Sequence, residues 1–210
     1  MKSSKSKFPN KKYTKIENFF YEYLENLNLI KKINLKQLKL AANLIEKTIL
    51  NGSQIFVCGN GGSTSIANHY LCDYLKLLKT KTKLNPRITS LSTSLELITA
   101  ISNDISYEKV FSYQADCLAK KGDIFIIISS SGNSKNVIDL AQYAKKNNYK
   151  VISFTGFNGG KLKKNSNINI HVNLNNYGLS EDSHHIIMHV IMQYLRQKYM
   201  QKHQIKTTNF

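Results

Sequence analysis

Three stretches of the chain, residues 54–58 (QIFVC), 123–128 (DIFIII) and 150–154 (KVISF), are short apolar runs. Each runs straight into a loop of glycine, serine, threonine and asparagine. A strand with one wet face alternates polar and apolar residues, whereas an unbroken run needs cover on both sides. Residues 88–91 read as a weaker strand and 168–172 as a last, alternating one. Helical spacing marks 17–31, 33–50 (stopped by Asn51-Gly52), 64–78, a stretch through Ala100, 107–120, a segment ending near Asn147, and 180–200. Strands separated by helices imply a parallel sheet covered on both faces, an α/β fold. The expected organisation is a flexible basic tail over 1–16, one domain with N-terminal helices over 17–200, and a tail over 201–210. At 210 residues, 41% of them hydrophobic, the chain can bury one core.

The net charge of +17 invites a nucleic-acid reading, but 28 of the 30 basic residues are lysine, and only Arg87 and Arg196 are arginine. Base readers rely on the planar, bidentate guanidinium. The lysines are also spread along the chain, with modest clusters at the ends, so a solvated surface is expected and no nucleic-acid partner. Such a charge still favours an anionic small molecule. No apolar run approaches the roughly 20 residues of a membrane helix. The polar, lysine-rich start lacks the apolar core of a secretory signal. Cys58, Cys72 and Cys117 form neither a CxxC pair nor an even framework. A cytoplasmic, membrane-free setting is expected.

Two constellations carry chemistry. Loops 58–63 (CGNGGS), 129–134 (SSSGNS) and 155–160 (TGFNGG) lie at predicted strand ends, where open parallel sheets bind ligands. Glycines admit the backbone to an anion, the following helix offers unpaired N–H groups, and hydroxyls add uncharged donors. With neither a Walker lysine nor a GxGxxG fingerprint, the expected ligand is a monophosphate. The second constellation is His69 with Asp73, one helical turn apart, and Glu181, His185 and His189 at i, i+4, i+8. Two histidines and two carboxylates facing each other suit zinc or another divalent ion. The same stripe would also serve as a solvated helix face.

These motifs resemble the sugar isomerase (SIS) domain family, and within it the sedoheptulose 7-phosphate isomerases. The resemblance runs from about 35 to 198 and rests on several markers: CGNGGS with His69 six residues on, ITAISNDISYEKVFSYQ at 98–114, GDIFIIISSSGNSKNVI at 122–138, VISFTGFNGGKL at 151–162, and the E-D-x-H-x4-H helix at 181–189. It implies a single three-layer domain with a five-stranded parallel sheet, assembled as a homotetramer with sites between subunits. The loop match, Asn60, Gly61, Gly62 and Ser63 with Ser129, Ser130, Ser131 and Ser134, implies binding of a phosphorylated sugar. Asn103 and Asp104 match a motif lining the sugar chain, and His69, Asp73, Glu181 and His189 match zinc positions. Two of these depart from the family pattern, which has Glu at the position of Asp73 and Gln at that of Glu181; Gly178 stands where an acidic residue is usual. A related subgroup of surface-polysaccharide SIS proteins is similar in carrying these substitutions.

The expected activity is aldose–ketose isomerisation of sedoheptulose 7-phosphate to D-glycero-D-manno-heptose 7-phosphate, for surface-glycan heptose. Asp73 is the candidate base, Glu181 its rival, and His189 the candidate acid. A non-catalytic SIS protein that binds a sugar phosphate or a protein partner is the alternative.

Overall fold

The computed structural model describes residues 8–209. Helices α1 (Ile16–Leu27) and α2 (Leu35–Leu50), joined by a 3-10 turn at Asn28–Lys32, precede the sheet. Strand β1 (Gln54–Gly59) leads into α3 (Gly62–Cys72), which continues as a π-helical segment, Asp73–Leu78. Next come β2 (Arg87–Ser90), α4 (Leu95–Asp104), a 3-10 turn at Tyr107–Lys109 and α5 (Ser112–Leu118). The chain then alternates β3 (Ile124–Ser129), α6 (Lys135–Lys146), β4 (Lys150–Thr155), α7 (Gly160–Lys164) and β5 (Ile168–His171). It ends in α8 (Tyr177–Tyr199) and α9 (Lys202–Thr207). The five strands form one parallel sheet in the order β2-β1-β3-β4-β5. Fold class and strand number match the sequence expectation.

The unbroken apolar runs follow from a core on each face of the sheet. Ile55, Val57, Ile124, Ile126 and Phe154 point to one side, against Ala41 and Ile45 of α2, Ile66 and Tyr70 of α3, and Ile187 and Ile191 of α8. Phe56, Cys58, Phe125, Ile127 and Val151 point to the other, against Ile101 of α4 and Val137, Leu140 and Ala141 of α6. Edge strand β5 alternates instead, with Ile168 and Ile170 buried and Asn169 and His171 half-buried.

Both expected tails need correction where the structure describes them. Phe8 is only 3% exposed and belongs to the larger core cluster. Its ring packs on Phe19 and Tyr23 with centroids 4.9 and 5.9 Å apart, and Asn176 Nδ2 donates to its carbonyl at 3.1 Å. One buried aromatic is enough to seat a polar segment when the helix beneath offers an apolar groove. Residues 1–7 of that tail lie outside the described residues. At the other end Gln201 and Gln204 form a capping box that starts α9, and Arg196 donates to the carbonyl of Asn209.

In strand order the chain runs from β1 outward to β2, then returns to place β3 on the opposite side of β1. That switch point opens a crevice beyond the carboxyl ends of β1 and β3, where Gly59 lies level with Ile128. The loops 58–63 and 129–134 are therefore side by side.

Candidate active site

The first loop is a turn that only small residues can make. Gly61 has φ +54°, in the left-handed region that favours glycine. A Cβ on Gly59 would strike the backbone of Ser63. Thr64 Oγ1 bonds the Gly59 carbonyl at 2.6 Å, Ser63 is buried, and Gly62 is the first residue of α3.

The second loop is held from behind. Gly132 (φ +64°) and Gly160 press backbone to backbone, so a Cβ on either would collide with the other's segment. Leu162 N–H donates to Gly132 O at 3.0 Å, and Lys161 N–H to Asn133 Oδ1 at 3.1 Å. The third glycine loop thus braces the serine loop. Ser129 Oγ accepts from Gly132 N–H at 3.2 Å, and Ser131 Oγ accepts from Asn133 N–H at 3.2 Å. Ser130 Oγ is buried with no partner, and the Ser134 hydroxyl makes no capping bond although it precedes α6. Buried hydroxyls without partners are uncommon and mark a place for a ligand's oxygen.

A pair of amides ties the two loops together. Asn60 Nδ2 donates to Asn136 Oδ1 at 2.8 Å, and Asn136 Nδ2 returns to Asn60 Oδ1 at 2.9 Å. Tyr107 OH also donates to Asn60 Oδ1, at 3.0 Å. Sequence reasoning did not single out Asn136 or Tyr107. The available signal was an asparagine on the first turn of an amphipathic helix, where the structure buries it to 1% exposure. Asn103 and Asp104, by contrast, are exposed at the end of α4 and bond to each other, at 2.8 Å, rather than to any other candidate.

The second constellation forms where α3 and α8 pack side by side. Asp73 opens the π-helical segment, a backbone form frequent at functional sites, and is 3% exposed. Its Oδ1 lies 3.3 Å from His69 Nε2 and its Oδ2 3.3 Å from His189 Nε2, while the two Nε2 atoms are 3.1 Å apart. The structure therefore brings together three of the four residues expected to bind a metal. The fourth position differs. His185 lies over His69, with ring centroids 4.7 Å apart, and beside His189, at 4.6 Å. Among the described residues, His69, His185 and His189 are the group whose nitrogens converge, all within 4.8 Å of one another.

Glu181 sits further down the same α8 stripe, its carboxylate against Gly62 at the start of α3, where a Cβ would overlap it. Burial raises its pKa, with help from the neighbouring Asp182. The helix N-terminus should favour the anion, so desolvation dominates here. His185 is held toward its neutral form by burial and by the adjacent histidines. On the core side of α8, His184 is fully buried near Phe154, and burial lowers its pKa to about 4. It serves as a neutral core side chain.

The donor set suits a divalent ion. Edges of 3.1–3.3 Å approach the roughly 3.4 Å that separates ligands placed about 2.1 Å from a tetrahedral centre. His185 Nε2 is buried without a hydrogen-bond partner, as an atom reserved for a cation would be.

A family model described as SIS domain matches residues 18–156. The chain belongs to the SIS domain family. A phosphoheptose isomerase of Aliarcobacter butzleri is 36% identical over 174 residues, covering 83% of this chain and 92% of that protein. One from Campylobacter concisus is 34% identical over 171 residues, covering 81% and 87%. Among solved structures, a phosphoheptose isomerase from Neisseria gonorrhoeae superposes with a TM-score of 0.78 at 28% identity, covering 87% of this chain and 97% of that one. The family model ends before α8 and the histidines it carries.

Proposed function

We propose that this SIS protein is an aldose–ketose isomerase that converts sedoheptulose 7-phosphate to D-glycero-D-manno-heptose 7-phosphate, supplying heptose for a surface glycan. The observation that carries the reading is the position of Glu181. Its carboxylate lies on Gly62, within the loop that packs beside the serine cradle, and on the same helical stripe as the histidines facing Asp73. The anion loop and a carboxylate able to take a proton therefore meet at the start of α3, with the histidines further along the same two helices.

In this reading the phosphate is held by Ser63, Ser129, Ser130, Ser131 and Ser134 and by the N–H groups that open α3 and α6, with Asn60, Gly61 and Gly62 forming the near wall. Neutral hydroxyls and backbone dipoles hold a dianion without committing a lysine. Isomerisation moves a proton between C1 and C2 through an enediol, so one group must accept it and another must serve the oxygens. Glu181 is the better base, because burial favours its taking a proton. Asp73, named as base by the family pattern, has each oxygen committed to a histidine at 3.3 Å. It orients His69 and His189, whose Nε2 atoms face each other at the ion site. A divalent ion, zinc or another, held among His69, Asp73 and His189 would polarise the substrate oxygens and stabilise the developing negative charge.

We further infer a homotetramer in the cytoplasm, with sites completed between protomers. The support is the exposed apolar side chains Ile186, Val190 and Tyr194 on α8 and Phe20 and Leu24 on α1, two helices that pack on each other. Incubating the purified chain with sedoheptulose 7-phosphate, with and without a chelator, tests the activity. Aldose formation that EDTA abolishes and zinc restores is the expected result. Tight sugar-phosphate binding with no turnover of any heptose or hexose phosphate would make it a non-catalytic binding protein instead.

A further inference from the structure

We infer that His185 is a ligand to the divalent ion in this chain, and that Glu181 is not. The inference rests on the metal reading above and redraws its membership. The metal positions implied by the resemblance pair Glu181 with His189, eight residues apart on α8 and about 12 Å along its axis. His185 lies between them, one turn from each, and its ring faces His69 with centroids 4.7 Å apart and an interplanar angle of 74°. Its Nε2 is buried with no hydrogen-bond partner, so folding removes that atom from water without giving it a protein donor or acceptor. Three imidazole nitrogens from two helices then converge within 4.8 Å, with the Asp73 carboxylate 3.3 Å from two of them.

Glu181, meanwhile, is engaged elsewhere. Its carboxylate lies against Gly62, a residue whose lack of a side chain makes the room, whereas His69 and Asp73 follow about two and three turns further along that helix. A glutamate at this position would add a second anionic ligand to Asp73. The third imidazole instead gives a set of three neutral nitrogens and one carboxylate, leaving a second carboxylate free to carry a proton. Nitrogen-rich sites of this kind suit zinc, cobalt or nickel over magnesium or calcium. The rearrangement also resolves a conflict, since four ligating side chains that included both carboxylates would leave neither as the base.

Metal binding can be read without turnover. The full chain, stripped with chelator, is titrated with zinc against a chromophoric competitor, beside the variants H185A and E181Q. X-ray absorption at the zinc edge then counts the imidazoles. One ion per chain is expected, with three imidazoles in the native protein and two in H185A. Zinc affinity is expected to fall about tenfold or more in H185A and to change less than about threefold in E181Q. Metal-free melting curves of H185A matching the native chain confirm that the half-exposed position does not determine folding. Native affinity in H185A, a tenfold loss in E181Q, or no zinc binding by the native chain would each overturn the assignment. The isomerase assay separates the two readings. Zinc bound through three imidazoles without turnover would sink the proposed activity and leave the ligand set standing. Zinc-dependent turnover with two imidazoles would do the reverse.

Discussion

At the residue scale, the two departures from the expected pattern sit in different surroundings. Asp73 is one methylene shorter than the usual glutamate, and the structure pairs it with two histidines instead of leaving it free. Glu181 replaces a neutral amide with a group that can carry a proton, beside a glycine that gives it room. Glu181→Gln is therefore expected to cut kcat by about 10²–10⁴-fold while leaving the fold and zinc affinity close to native. Gly62→Ala offers a subtler test. Alanine suits the helix better than glycine, so thermal stability should hold or rise, yet its methyl group would displace the Glu181 carboxylate. A displacement of about 1 Å can cost about a hundredfold, so the kcat of Gly62→Ala should collapse in a well-folded protein. Native turnover from either variant would remove Glu181 from the chemistry.

His184 supplies a prediction in pH. Its ordinary pKa of 6.5 falls to about 4 on burial, so the unfolded chain binds the extra proton and the folded one does not. Its stabilising contribution is full above pH 6.5 and is lost as pH falls toward 4, on the order of 3 kcal/mol across that window. With chelator present, chemical denaturation of His184→Leu should lose stability less steeply than the native chain between pH 6.5 and 4. Parallel curves would show that the buried imidazole is not what titrates.

At the scale of elements, the strands and loops were legible because their signals are local. Runs such as Ile124–Ile128 can only be strands covered on both sides, and CGNGGS and SSSGNS can only be tight, open turns. The N-terminal segment departs from the expected tail because it has no periodicity to announce its packing. Phe8 is one aromatic in a lysine-rich stretch, and its burial depends on a groove formed by Phe19, Tyr23 and Asn176, residues far apart in the chain. Phe8→Ala should destabilise the chain by about 3 kcal/mol in urea unfolding, whereas a freely moving tail would give no change. The change from α- to π-helix at Asp73 was likewise invisible, since hydrogen-bond register within a helix is set by what packs on it.

For the whole molecule, α8 and α1 carry exposed apolar side chains, among them Val190, Tyr194 and Phe20. If the proposed assembly uses these side chains, Val190→Asp places a charge among them and is expected to shift sedimentation velocity to smaller species, with turnover falling alongside. A native chain that sediments as a monomer would exclude the shared site.

The order of residues along the chain was enough to determine the sheet, the small-residue loops at its strand ends and the chemical types present, because periodicity and turn chemistry act over a few residues. It could not decide which of Asp73, Glu181, His185 and His189 meet, because helical spacing sets a stripe but not the partner across from it. That choice was made by the packing of α3 against α8. Side-by-side contact seats Glu181 on the glycine at one end and gathers the imidazoles around Asp73 at the other. The same dependence holds for Asn136, whose partner Asn60 lies 76 residues away and becomes its neighbour only through the pairing of β1 with β3.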